Sequence, residues 1–270
     1  MPELPEVETT RCGIEPHLLG KTIQSIVIRQ PRLRWPVPQK LKSCLPGQQI
    51  LAVERRAKYL FLRLTHGTII IHLGMSGSLR ILAANSQPGS HDHIDLVLGK
   101  KCLRLRDPRR FGAWLWTTAD PTKHKLIQHL GPEPLSGEFD GQYLYRLSRT
   151  RKIAIKNFIM DSKVVVGVGN IYASEALFRA GINPNCRCSR IALKRYLRLA
   201  EEIKKVLQEA IAQGGTTLKD FQHEDGSAGY FAQELQVYGR ENEPCLNCNH
   251  HIVKKMIGQR SSFYCPYCQR

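Results

Sequence analysis

The sequence predicts an α+β protein: a strand-rich amino-terminal part, a helical part, and a metal-binding finger at the end. Three observations carry this. The runs QSIVIRQ, QQILAVE, KYLFLRL, GTIIIHLG, SLRIL, HIDLVLG and CLRLRD follow one another through the first 120 residues, separated by Pro, Gly, Asn and Ser clusters. Their lengths and alternation fit the strands of an antiparallel sandwich or barrel. Beyond residue 120 the apolar period changes to that of helices, and the chain closes on two C-x2-C pairs.

The opening MPELPEVETT precedes the strands and admits two readings. One is a helix start, with Pro2 at the first helical position and Glu3, Glu6 and Glu8 on the positive end of the dipole. The other is chemical. A small second residue permits removal of the initiator Met, leaving Pro2 with a free secondary amine beside carboxylates. The stretch LGPEPLSGEFDG is rich in turn residues and marks a linker near residues 131–141. After it, YLYRLSRTRKIAIKNFIM and IYASEALFRAG read as helices, joined by the Gly-rich VVVGVGN. The run IALKRYLRLAEEIKKVLQEAIAQGG places Leu193, Tyr196, Leu197, Ala200, Ile203, Leu207, Ala210 and Ile211 on one stripe, with Ser189 near its start and Gly214 and Gly215 at its end. No internal repeat or low-complexity tract interrupts this order.

Cys245 and Cys248 form one knuckle, and Cys265 and Cys268, after sixteen intervening residues, the other. Four thiolates so spaced suit one tetrahedral Zn²⁺ with no open position, a structural ion rather than a catalytic one. Between the knuckles lie Lys254, Lys255 and Arg260, suited to phosphate. Of the other cysteines, Cys186 and Cys188 either pair on a metal or, as for Cys12, Cys44 and Cys102, are free thiols.

Lys and Arg number 40 against 23 Asp and Glu, a net charge of +17. Such a balance favours a polyanion, nucleic acid first and an anionic membrane surface second. The basic residues are spread from Arg29 to Arg260, as on a folded surface. No apolar run approaches the length of a spanning helix, and the acidic start lacks the order of a signal peptide, so a cytoplasmic location is expected. In HLGMSGSLR and DPRRFGAWLW, Met75 and Phe111 sit in Gly- and Pro-rich loops beside Arg109. They are either strand-end core residues or apolar wedges for a base stack. VGVGN before a helix offers backbone N–H groups to one phosphate.

Together PELPEVETT, RRAKYL, HLGMSG, HDH, DPRRFG, VGVGNIYASE, QGGTTLKDF, GYFAQELQVYGR and the four-cysteine finger resemble the bacterial formamidopyrimidine-DNA glycosylases, in order and over essentially the whole chain. The resemblance implies a β-sandwich catalytic domain with flanking helices over 1–131, a helix-two-turn-helix DNA-binding domain with a lesion-capping loop over 132–235, and the zinc finger over 236–270. It implies removal of 8-oxoguanine and formamidopyrimidines from duplex DNA and strand cleavage by β,δ-elimination. Pro2 matches the family's nucleophile, Glu3 its acid, Glu6 a supporting carboxylate, Lys58 the proton-transfer residue of β-elimination and Arg260 that of δ-elimination. Met75, Arg109 and Phe111 match the residues that fill the gap left by the extruded nucleotide, Arg109 facing the orphaned cytosine. His91, Arg151, Lys156 and Asn170 match phosphate contacts, and Lys219 lies in the loop over the extruded base. The implied partner is damaged double-stranded DNA, bound by a nucleoid-associated monomer with one zinc and no organic cofactor or membrane. Two rivals stand beside this: an endonuclease VIII-like glycosylase for oxidised pyrimidines, and a non-enzymatic zinc-finger DNA-binding protein, which leaves Pro2, Glu3 and Lys58 without a purpose.

Overall fold

A computed structural model describes residues 2–214 and 235–270. These fall into two compact units, one of residues 2–128 with 214 and the other of residues 129–213 and 235–270.

The first unit opens with helix α1 (Leu4–Leu18). It begins at Leu4 and takes Pro5, not Pro2, into its first turn. The helix-start reading therefore belongs to the second proline, and Pro2 stands before the helix. Leu4, Val7, Ile14 and Leu18 are buried at helical spacing, and the last three join the main core of this unit. On the opposite face Glu8 is bracketed by Arg11 and, from the sheet, Arg55. Burial opposes its charge, but these two guanidinium partners prevail and hold the carboxyl below its usual range.

Two four-stranded antiparallel sheets follow. With strands β1 (Ser25–Ile28), β2 (Ile50–Arg56), β3 (Tyr59–Leu64), β4 (Thr68–His72), β5 (Ser78–Ala83), β6 (Asp92–Leu98), β7 (Lys101–Arg106) and β8 (Ala113–Thr117), the orders are β2-β3-β4-β8 and β1-β6-β7-β5. The short helix α2 (Leu41–Cys44) lies between β1 and β2. Leu60, Leu62, Ile69, Ile71 and Trp114 of one sheet share a core with Ile94, Leu96, Leu103 and Leu105 of the other. Within that arrangement Arg104 is only 1% exposed. Its guanidinium donates to both oxygens of Asp95 at 2.7 Å and to the carbonyls of Ser86 and Gln87. Asp95 also pairs with Arg29, so Arg104→Met leaves that carboxylate one guanidinium and takes the donor from the Ser86 and Gln87 carbonyls. The change is expected to destabilise the protein by about 2–4 kcal/mol in denaturant unfolding. A loss below about 1 kcal/mol would show that the pair is dispensable.

The second unit is helical, with α3 (Gly141–Ser148), α4 (Ile155–Met160), α5 (Asn170–Arg179) and α6 (Leu193–Ala212). Asp140 caps α3 by accepting from the Tyr143 N–H. The run expected to be helical over 143–160 is split between α3 and α4, because residues 149–154 form a turn and a β-bridge from Ala154 to Arg187 instead. The stripe on α6 also differs from its sequence reading. Tyr196, Leu199, Ala200, Ile203, Val206, Leu207 and Ala210 are buried, whereas Leu193 and Leu197 are 38% and 41% exposed. The start expected near Ser189 is taken by Ala192 as N-cap, with no side-chain cap. A two-stranded hairpin, β9 (Val253–Ile257) and β10 (Arg260–Tyr264), completes the unit, and its small core contains Phe178 of α5 with Val237, Cys245, Ile252 and Cys265.

Candidate functional site

The amino-terminal residues are held by a reciprocal capping box. The Glu6 carboxylate accepts from the Glu3 N–H at 2.8 Å, and the Glu3 side chain accepts from the Glu6 N–H. Both carboxylates are buried, at 3% and 4% exposure. The peptide unit joining Pro2 to Glu3 is thus fixed to the first turn of α1, and Pro2 itself is half-buried. The two buried carboxylates of Glu3 and Glu6 therefore sit within four residues of Pro2, and that of Glu6 fixes the peptide that follows it.

Lys58 lies at the tip of the hairpin between β2 and β3, where Arg56 pairs with Tyr59 and leaves only Ala57 and Lys58 in the turn. Ala57 has φ +56°, the left-handed conformation that such tight turns demand. Tyr59 pairs with His72, which pairs with Ala113. The Lys58 turn, the loop after His72 and the loop before Ala113 consequently share one end of the sheet.

His72 is a residue the sequence reading passed over, although it opens the HLGMSG motif. Its Nδ1 accepts from the Gly74 N–H at 3.0 Å and its ring lies 4.8 Å from that of Tyr59. Burial, then the charges of Lys58 and Arg34, pushes its pKa down to about 4, only partly opposed by Asp107. The ring is neutral at pH 7, as its acceptor role at Nδ1 requires. Because the folded value lies below the unfolded value of about 6.5, the unfolded chain binds the extra proton between these limits. His72 thus lowers stability as pH falls from about 6.5 to about 4, by about 2 kcal/mol between pH 7 and pH 5. Urea midpoints at the two pH values should show this loss in the parent and a smaller one in His72→Asn. Equal losses would remove His72 as the cause.

Met75 and Phe111 are each 42% exposed, so neither is a core residue. They occupy the β4–β5 and β7–β8 connections, both of which pass from one sheet to the other. β4 pairs with β8 and β5 with β7, so these two connections run side by side. The Arg109 guanidinium lies over the Phe111 ring, 4.8 Å from its centroid. Gly74 has φ +66°, and a Cβ there would come within 2.4 Å of the Phe111 carbonyl carbon. His91 is exposed on the loop before β6.

The second unit holds the other candidates. Asn170 opens α5, behind the Gly169 N-cap, and its amide donates to the Ser261 carbonyl at 3.0 Å and to the Tyr238 hydroxyl at 3.5 Å. Lys156 has no exposed surface. Its ammonium donates to Ser262 Oγ at 2.8 Å and to the Ser261 carbonyl at 3.2 Å. Ser262 Oγ in turn donates to the Arg260 carbonyl at 3.3 Å. Residues expected to meet phosphate are therefore also the anchors of the hairpin that carries the exposed Arg260. Arg151 pairs with Asp161 at 3.0 Å and remains about one-third exposed. Lys219 lies outside the described residues.

A further residue that sequence reading missed is Glu175 of α5. Its buried carboxylate accepts from the N–H groups of Gln236, Val237 and Tyr238 at 2.8, 3.0 and 2.8 Å. Three charge-assisted bonds to consecutive amides fix the strand of chain that presents Tyr238. Nothing in its surroundings in sequence, IYASEALF, signals this, because its partners lie about sixty residues away.

The sulfurs of Cys245, Cys248, Cys265 and Cys268 lie within 4.8 Å of one another. The Cys248–Cys265 and Cys245–Cys268 pairs are 3.4 and 3.9 Å apart. Four thiolates at 2.3 Å from a tetrahedral zinc would stand about 3.8 Å apart, so the set fits that ion. Cys186 is half-buried and Cys188 buried against the helical core, with no histidine, carboxylate or further thiol grouped with them for a metal among the described residues.

A buried carboxylate pair beside Pro2, two loops presenting Met75, Phe111 and Arg109, and a four-cysteine finger are the features that the comparisons with known proteins bear on. Three family models match consecutive parts of the chain: the formamidopyrimidine-DNA glycosylase N-terminal domain over residues 1–114, its H2TH domain over 130–222, and the zinc finger found in FPG and IleRS over 242–270. The formamidopyrimidine-DNA glycosylase of Marinobacter nauticus is 58% identical over 271 residues and that of Nitrosococcus oceani 57% over 270, each alignment covering all of both chains. A crystal structure of a Lactococcus lactis FPG mutant in complex with Fapy-dG containing DNA superposes with a TM-score of 0.93 at 33% identity, over the whole of both chains. The wild-type Lactococcus lactis enzyme with N7-benzyl-Fapy-dG containing DNA gives 0.91 at 32%. The chain belongs to the formamidopyrimidine-DNA glycosylase family, and so to the DNA glycosylases that act on oxidised purines in base excision repair.

Proposed function

We propose that this chain is a bifunctional glycosylase and abasic-site lyase whose nucleophile is the amine of Pro2, freed by removal of Met1. The observation that carries this reading is the capping box, which holds the residue next to Pro2 by two buried carboxylates. A terminal amine, with a pKa of about 8, has a far larger free-base fraction at neutral pH than a lysine at about 10.4. Proline's greater basicity and the neighbouring carboxylates reduce that advantage, and the same carboxylates serve as proton carriers.

In this proposal the amine lone pair attacks C1′ and the bond from C1′ to the base breaks, the base leaving with a proton. The sugar opens with help from Glu3, giving a Schiff base to Pro2. Loss of a C2′ proton, moved by Lys58, expels the 3′ phosphate. A second elimination, assigned to Arg260, expels the 5′ phosphate. Glu6 keeps its oxygen on the Glu3 amide throughout.

The target atom lies inside a base stack, so the nucleotide is extruded and the gap filled. Met75, Phe111 and Arg109 fill it, with Arg109 toward the orphaned base. Their exposure and the cation–π contact support this. His91, Arg151 and Asn170 are assigned to phosphate. Lys156 was expected there too, but its inward ammonium supports a contribution through the finger hairpin. Lys219, which the resemblance assigns to the loop over the extruded base, lies outside the described residues. One zinc ion on Cys245, Cys248, Cys265 and Cys268 would hold the finger and supply no chemistry. The boundaries 1–131, 132–235 and 236–270, supported by the family-model spans, and a cytoplasmic, nucleoid-associated monomer without organic cofactor belong to the same proposal. Among the described residues no helix is long and apolar enough to cross a membrane.

The test is a comparison of excision from 8-oxoguanine:C and thymine glycol:A duplexes. The reading requires at least about a tenfold preference for the first in kcat/KM, a little over 1 kcal/mol of transition-state discrimination. A reversed preference would instead favour the oxidised-pyrimidine glycosylase, and no excision of either the non-enzymatic binder.

A further inference from the structure

We propose that Asp107 is the positioning residue of the gap-filling wedge, fixing the two loops that carry Met75, Arg109 and Phe111 to each other and to His91. The inference rests on the reading of those three side chains given above. Asp107 directly follows β7, has no exposed surface, and uses every polar group it owns. Its Oδ1 accepts from the Ser76 hydroxyl at 2.9 Å, next to Met75. Its Oδ2 accepts from the Gly112 N–H at 2.7 Å, next to Phe111. The Ser76 oxygen accepts from the Arg109 N–H at 3.3 Å, so one hydroxyl ties the loop of Met75 to the backbone of Arg109 and passes both to the carboxylate. The Asp107 carbonyl receives the Arg110 N–H at 3.1 Å and the His93 Nε2–H at 2.8 Å, and the Asp107 N–H donates to the His91 carbonyl at 3.0 Å.

Strain at the same place indicates that this arrangement is imposed. Arg110, between the two wedge residues, has φ +56°. For a residue with a long side chain that conformation persists only where surrounding contacts over-determine it, and Asp107 supplies two of them, one on each side of Arg110. A carboxylate also suits the task better than an amide. With no hydrogen of its own, both oxygens accept, so a hydroxyl and a backbone N–H can be gathered at one buried point.

A wedge must arrive in one geometry, since it discriminates the opposite base only if Arg109 is held in register with Met75 and Phe111. The test removes the bridge while leaving Asp107 in place. Ser76→Ala, Ser76→Thr and Arg109→Ala are compared for excision of 8-oxoguanine opposite C and opposite A, and for cleavage of a preformed abasic site in a single-stranded oligonucleotide, which leaves no orphaned base. Ser76→Ala is expected to reduce the C-over-A preference about fivefold, as loss of one hydrogen bond to a charged group permits, with single-strand cleavage within about twofold. Ser76→Thr, which keeps the hydroxyl, should keep the preference. If Arg109→Ala abolishes the preference and Ser76→Ala does not change it, or if Ser76→Ala slows single-strand cleavage to the same degree, the proposal is overturned. If Arg109→Ala itself leaves the preference intact, the wedge reading fails instead.

Discussion

Replacing Pro2 by Glu is expected to abolish the covalent adduct that borohydride traps between enzyme and an 8-oxoguanine:C duplex. A large second residue prevents Met1 removal, so this change deletes the proline amine and moves the terminus one residue away from its support. The cost should be large, because the amine has no substitute. The Glu3 and Glu6 carboxylates stay buried on α1, but they carry no nucleophilic nitrogen. Removal of the attacking group from a covalent mechanism costs at least about 10³-fold in turnover. Intact-mass measurement of the parent should correspond to a chain starting at Pro2. An undiminished adduct in Pro2→Glu would transfer the nucleophile to another amine, either the retained Met1 terminus or a lysine such as Lys58, which peptide mapping of the trapped adduct would distinguish.

Cys248→Ser is expected to empty the finger of zinc and to weaken duplex binding about 100-fold. Four thiolates hold the knuckles together, and the remaining core of the finger is small: Phe178, Val237 and Ile252 with the two buried cysteines. Binding of a structural zinc is worth on the order of 10 kcal/mol or more, which such a core cannot replace. The damage should reach Arg260 because the hairpin that bears it lies between the knuckles. Elemental analysis after gel filtration, together with binding to an uncleavable abasic analogue, measures both effects. Full metal content in Cys248→Ser would contradict the four-thiolate assignment. Metal loss with unchanged binding would remove the finger from the DNA interface.

Much of the molecule is legible because its signals are local. Alternation marks the strands, the period of α6 marks a helix, and the C-x2-C spacing marks a tetrahedral thiolate site, each within a span over which the chain's own geometry dictates the outcome. Errors arose where a local signal met a tertiary alternative. Leu193 and Leu197 fit an apolar stripe, yet the buried face of α6 is the one bearing Leu199, Ile203 and Val206. The backbone of Leu197 is itself close-packed by Gly141 of α3, where a Cβ would lie 2.3 Å from Leu197 Cα, while its side chain stays exposed. Pro2 fits a helix start, but the Glu3 and Glu6 box needs Pro5 in the first turn and leaves Pro2 outside.

By itself the sequence determined the α+β order, the four clustered cysteines of the finger, and the family to which the motifs belong. What the tertiary structure alone decided is which of those motifs meet. Met75 and Phe111 are separated by 35 intervening residues and become neighbours because two connections cross between the same pair of sheets, side by side. Asp107 and His72 acquire their roles only there. Strand pairing is a long-range choice, made by burial of both sheets' inner faces together, and no residue in HLGMSG or DPRRFG encodes it alone.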